Sequence, residues 1–156
     1  MTSDYPRVVA AVALMCGSYA MGEDAVQEAL ARAWERSERG QHIESLRAWV
    51  TRVAINLARS RFRRLLVERR HQQAIAADSA GPSGDIVDLR RALAALPRRQ
   101  REATVLRYYL DLDVGEVADV LGVTEGTVKT TLHRARQALA AALSDELEEA
   151  NESAGT

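Results

Sequence analysis

Eight arginines stand between positions 47 and 70 (47, 52, 59, 61, 63, 64, 69 and 70), opposed within that stretch by one carboxylate, Glu68. Guanidinium groups at this density repel one another unless a polyanion lies across them. At 3.6 residues per turn, Arg52, Asn56, Arg59, Arg63 and Arg70 fall on one line of a helix, which makes the run a cationic ridge with an amide in it. Trp49 adds a nearby aromatic ring. Cations for a nucleic-acid backbone, an amide and a flat ring are the groups needed to capture an unstacked base. Trp49 alone, beside an apolar stripe, reads more readily as core.

A second polar cluster lies near the C-terminal end: Lys129, Thr130, His133, Arg134 and Arg136. These residue types contact phosphates and base edges in a major groove. A third group is acidic: Asp24, Gln27, Glu28 and Glu35 share one helical face with Ala31, an ordinary solvated surface that would also complement a basic partner. Catalytic chemistry is not indicated. His42, His71 and His133 sit in separate segments, and no Ser/His/Asp, Cys/His or metal-ligand spacing occurs, so neither enzyme activity nor a metal or cofactor is expected. The lone Cys16 lies in an apolar run and reads as a buried structural thiol in a reducing compartment.

The elements that must position these groups are helices. Aromatic content is 4% and proline occurs three times, while Ala, Leu, Arg and Glu dominate, so the fold class expected is all-α. A first helix spans about 5–19, with Pro6 tolerated in its opening turn. A second spans about 24–37, with Val26, Ala29, Leu30 and Ala33 inward. Ser45 is placed to cap a long third helix reaching about Arg70, with Leu46, Val50, Val53 and Leu57 inward. From Gln72 to about Asp85 the chain turns to Ala, Ser, Gly, Pro and Asp without periodicity, as in a flexible linker. The expected organisation is two small helical domains, residues 1–71 and 86–143, joined by a linker at 72–85 and followed by an acidic tail at 144–156.

In the second domain, helices are expected over 86–96 and from Pro97 to about Leu110, with Val105, Leu106, Tyr109 and Leu110 inward. Asp113 and Glu116 form a helix-start signature for a short helix over 114–121 that Gly122 ends. Thr124 caps the next helix, whose inner face is Val128, Leu132, Ala135 and Leu139. Short helix, glycine turn and longer helix with a basic outer face make a helix-turn-helix. The tail carries five carboxylates and no Lys or Arg; setting those five aside from a net charge of −1 leaves the body at +4. The tail is expected to fray into disorder as a solubilising end, or to compete with DNA for the arginine ridge. No stretch is apolar enough to span a bilayer and no leader pattern opens the chain, so the expected location is cytoplasmic.

Two sets of residues carry a family resemblance. Leu96-Pro97 through Arg107-Tyr108, then Glu116 to Lys129, then Arg134-Ala135-Arg136, resemble region 4 of the extracytoplasmic-function (ECF) sigma factors of the sigma-70 family. Asp24 to Ala29 with Trp34, and Ala48 to Asn56 with the arginines beyond it, resemble region 2. The resemblance implies a transcription initiation factor that binds core RNA polymerase and directs it to promoter DNA. It implies minus-35 contacts from Lys129, Thr130, His133 and Arg134, with Thr127 and Arg136 beside them. It implies minus-10 recognition and melting by Trp49, Arg52, Asn56, Arg59 and Arg63, polymerase docking by Asp24, Gln27, Glu28 and Trp34, and control by an anti-sigma protein. His133 departs from the larger apolar or basic residues common at its position. The alternative is a stand-alone helix-turn-helix regulator binding an operator as a dimer, which leaves the first domain unexplained.

Overall fold

The computed structural model describes residues 4–69 and 85–154, with side chains described over 4–68 and 89–144. All regular structure among them is helical: α1 (Tyr5–Cys16), α2 (Tyr19–Glu38), α3 (Leu46–Arg69), α4 (Asp85–Ala95), α5 (Arg98–Thr104), a π-helical turn (Val105–Tyr109), α6 (Val114–Leu121) and α7 (Glu125–Ala154). The expected linker lies almost wholly outside the described residues.

Local chemistry accounts for the breaks. Pro6 opens α1, and Gly17 at φ 79° closes it, its N–H donating to the Ala13 carbonyl. The chain re-enters a helix almost at once, because the Ser18 hydroxyl accepts from the Met21 N–H at 3.3 Å. α1 therefore ends three residues earlier than expected, and α2 begins five residues earlier. Gly22 lets the two cross closely: a Cβ there would stand 2.9 Å from the Ala13 nitrogen. Ser45 accepts from the Ala48 N–H at 3.3 Å at the start of α3.

The helix expected from Pro97 to Leu110 is interrupted. It widens at Val105–Tyr109, and Asp111 follows at φ 55°. The Tyr109 carbonyl accepts from Arg7 of α1 at 2.6 Å, a bond no local periodicity could reveal. Where the tail was expected to fray, α7 continues to Ala154; the run of Ala, Leu and Glu is a good helix former.

The buried apolar residues form one continuous cluster drawn from both halves of the chain. α1, α2 and α3 pack mutually; α5 and α6 each pack on α7 and on the π turn; and α1 touches α4, α5 and the π turn while α3 touches α6. This contact between halves corrects the inward stripe read for α3. Of Leu46, Val50, Val53 and Leu57 only Val50 is fully buried, whereas Thr51, Ala54, Ile55 and Ala58 are. α3 is covered on two sides, and periodicity reports a single side.

Candidate nucleic-acid interface

The helix-turn-helix is built from caps. The Asp113 carboxylate accepts from the Glu116 N–H at 2.8 Å, and Glu116 returns a carboxylate oxygen to the Asp113 N–H at 2.9 Å. Gly122, at φ 67°, ends α6. Two residues later the Thr124 hydroxyl accepts from the Thr127 N–H at 3.2 Å and pairs with the Thr127 hydroxyl at 2.9 Å. Val128, Leu132 and Ala135 are buried beneath α7, and Leu139 is half-buried. That leaves Lys129, Thr130, His133, Arg134 and Arg136 exposed on the other side.

Within this face Lys129, His133 and Arg134 make no side-chain hydrogen bond or ion pair to the described residues, so their donors are available to a ligand. The Thr130 hydroxyl donates back to the Gly126 carbonyl at 3.0 Å, and Arg136 donates to the Tyr108 hydroxyl at 3.0 Å. Arg136 is thus aimed by a residue of the π turn, a positioning role that sequence reading missed.

On α3, Arg52, Asn56 and Arg63 are exposed and Trp49 is half-buried. Arg59 stands apart. It forks onto Glu102 of α5, Nε to Oε1 at 2.9 Å and Nη2 to Oε2 at 2.5 Å. Asn56 Oδ1 accepts from the Arg59 Nη1 at 3.5 Å, a marginal contact. Arg61 turns the other way, to Glu28 of α2. Phe62, Leu65, Leu66 and Val67 are exposed beside the arginines, so the far end of α3 has no packed face among the described residues. Sequence reading missed Glu102, whose only signal was to be the single carboxylate in the basic helix Arg98–Thr104.

Of the acidic group, Asp24 and Gln27 are exposed, Gln27 donating to the Tyr5 hydroxyl at 3.4 Å. Glu28 accepts from both Arg32, at 2.5 Å, and Arg61. Trp34 is 69% exposed, a large apolar surface to leave in water; it borders a groove lined by Leu30, His42, Ile43 and Leu46. Cys16 is half-buried and donates to the Ser18 carbonyl at 3.4 Å; burial pushes its thiol pKa up. Among the described residues no cluster of His, Cys, Asp and Glu could hold a metal ion, and no helix is long and apolar enough to cross a membrane.

Two family descriptions match the chain, Sigma-70 region 2 over residues 1–66 and Sigma-70 region 4 over residues 86–139. The ECF RNA polymerase sigma factor SigL of Mycobacterium tuberculosis is 33% identical over 134 residues, covering 80% of this chain and 76% of SigL. The chain belongs to the ECF sigma factor family. SigW of Bacillus subtilis, also an ECF sigma factor, is 29% identical, covering 84% of this chain and 80% of its own. Among solved structures, the sigma factor RpoE of Bartonella quintana, in complex with the anti-sigma factor NepR, is similar with a TM-score of 0.78 and 26% identity, over 90% of this chain and 91% of that one. CnrH, in complex with the cytosolic domain of CnrY, shares the fold with a TM-score of 0.68 at 23% identity. As an ECF sigma factor, the protein works with core RNA polymerase and promoter DNA in transcription initiation. The stand-alone regulator is not favoured, since both halves match sigma regions.

Proposed function

We propose that this sigma factor divides promoter recognition between its two halves. Residues 86–143 hold minus-35 duplex through Lys129, Thr130, His133 and Arg134, with Arg136 and Thr127 at the margins. Residues 1–71 capture and melt the minus-10 element with Trp49, Arg52, Asn56, Arg59 and Arg63. Asp24, Gln27, Glu28 and Trp34 dock on polymerase. The observation that carries this reading is that Lys129, His133 and Arg134 are exposed on a capped helix-turn-helix and make no side-chain hydrogen bond or ion pair among the described residues.

Each half offers a small cationic surface that binds weakly alone; polymerase fixes their separation and makes two weak contacts one strong, salt-sensitive attachment. The factor supplies no bond-making chemistry, which belongs to the polymerase. It acts in the cytoplasm, and an anti-sigma protein controls it, a reading supported by the similar sigma factor solved with NepR.

Transcription by core polymerase from a randomised promoter library tests the proposal. Selected sequences should show two conserved elements at fixed spacing, both dependent on this factor. Tight, twofold-symmetric binding by the pure protein, with no dependence on core, would replace it with the dimeric regulator.

A further inference from the structure

α1, α3 and α5 meet around a cavity of about 120 Å³, and its lining divides by chemistry. Val12 and Met15 of α1 and Ile55 and Ala58 of α3, all buried, give it an apolar wall, to which the exposed Phe62 adds. Four guanidinium groups complete it, Arg59 and Arg63 from α3 and Arg98 and Arg101 from α5, with Glu102 as the single carboxylate. Positive charge therefore exceeds negative charge severalfold around an apolar space.

Glu102 is already committed. Both of its oxygens meet Arg59, and Arg98 reaches it only at 4.0 Å, the limit of an ion pair. Arg63 and Arg101 have no side-chain acceptor among the described residues, and the Nε of the half-buried Arg101 is itself shut off from solvent. A donor that has lost water and gained no acceptor is costly, and a guanidinium more so than a neutral group. Such an atom beside a cavity calls for an acceptor from outside the chain.

We propose that this cavity is a binding site for a small amphipathic acid, a carboxylate on an apolar body of about six carbons. A dry cavity of about 150 Å³ admits a benzene ring, which sets the size of the body. The carboxylate matches the guanidinium fork, and Arg101 and Arg98 are the groups with donors to spare. Inorganic phosphate would satisfy the charge but leave Val12, Met15 and Ile55 facing its hydration shell. Ligand sites combine an apolar wall with a few convergent polar groups in this way. The site is separate from the recognition face of α7 and from the Asp24, Gln27, Glu28 and Trp34 group. Its lining comes from both halves, so occupancy is coupled to the seating of α5 on α1 and α3.

The test uses the full chain, isotope-labelled at its methionine methyl groups and followed by NMR, with benzoate as the ligand and benzamide and inorganic phosphate as controls. Of the three methionines, Met15 lines the cavity and Met21 does not; Met15→Leu assigns the signal. Benzoate should move the Met15 methyl resonance saturably, with a Kd on the order of 1 mM or tighter, and leave Met21 in place. Benzamide, the same shape without the charge, should bind roughly tenfold more weakly, and phosphate should leave Met15 unmoved. Arg101→Gln should weaken benzoate by about the same factor. Ala58→Leu, which fills the cavity, should abolish the shift, and Arg101→Gln decides the question should Ala58→Leu fail to fold.

No saturable movement of Met15 with benzoate would overturn the site. Equal binding of benzamide would reduce it to an apolar cavity and remove the role given to the arginines. Phosphate moving Met15 as benzoate does would sink the apolar body, and undiminished benzoate binding by Arg101→Gln would overturn the assignment to Arg101.

Discussion

Arg134 and Asn56 separate the proposed roles most sharply, since one stands on α7 with no side-chain partner among the described residues and the other stands exposed on the α3 ridge beside Arg59. Arg134→Ala removes one charge-assisted contact and should weaken minus-35 binding by about 1–3 kcal/mol, measured as the shift in promoter affinity of the reconstituted holoenzyme. Asn56→Ala should leave that initial affinity nearly unchanged and slow strand opening, followed by permanganate reactivity of unpaired thymines. Exchanged effects would mean that the roles of the halves are reversed. Exposed residues of this kind were legible in the sequence because amphipathic spacing alone sets which side of a capped helix faces water. Glu102 was not, for its burial depends on an arginine 43 residues away. Cys16 shows the consequence for reactivity: burial raises its pKa, so little thiolate exists at neutral pH. Its reaction with iodoacetamide should be slower than that of free cysteine at pH 7 and rise with a midpoint above the ordinary thiol range; an ordinary midpoint would contradict the burial seen here.

At the scale of elements, caps and crossings carry the fold. The Asp113–Glu116 capping box was readable from two residues at a spacing of three, and Asp113→Ala should cost about 1 kcal/mol, checked by urea denaturation. Gly22 carries no such local signal: it lies inside α2 at the crossing with α1, a contact set by tertiary packing. The atoms a Cβ would meet there are backbone, which cannot rotate aside. Gly22→Ala should therefore destabilise by about 1–3 kcal/mol, as overpacked cores do, even though alanine is the better helix former; a stabilised Gly22→Ala protein would show that the crossing is loose. The π turn was invisible for a related reason. Its wide backbone is anchored from α1 through Arg7, and the apolar spacing of 105–110 fits an ordinary helix equally well.

At the scale of the molecule, the linker composition spoke for two independent units, while the buried residues of both halves form one cluster. Composition reports how freely a connection can bend; it is silent on whether the units it joins adhere. Adhesion here draws on apolar contact around Ile55 and Ala58 and on the buried Arg59–Glu102 pair. Removing one partner of such a pair leaves the other charge buried and uncompensated, at a cost of about 3–5 kcal/mol if the halves stayed together. Separation lets Arg59 regain water at the expense of the apolar contact alone. Heating the wild-type chain should therefore give one calorimetric transition whose van't Hoff and calorimetric enthalpies agree. Glu102→Gln should split it into two, with the region 4 half and the region 2 half melting independently. Two transitions already present in the wild type would mean that the halves touch without cooperating.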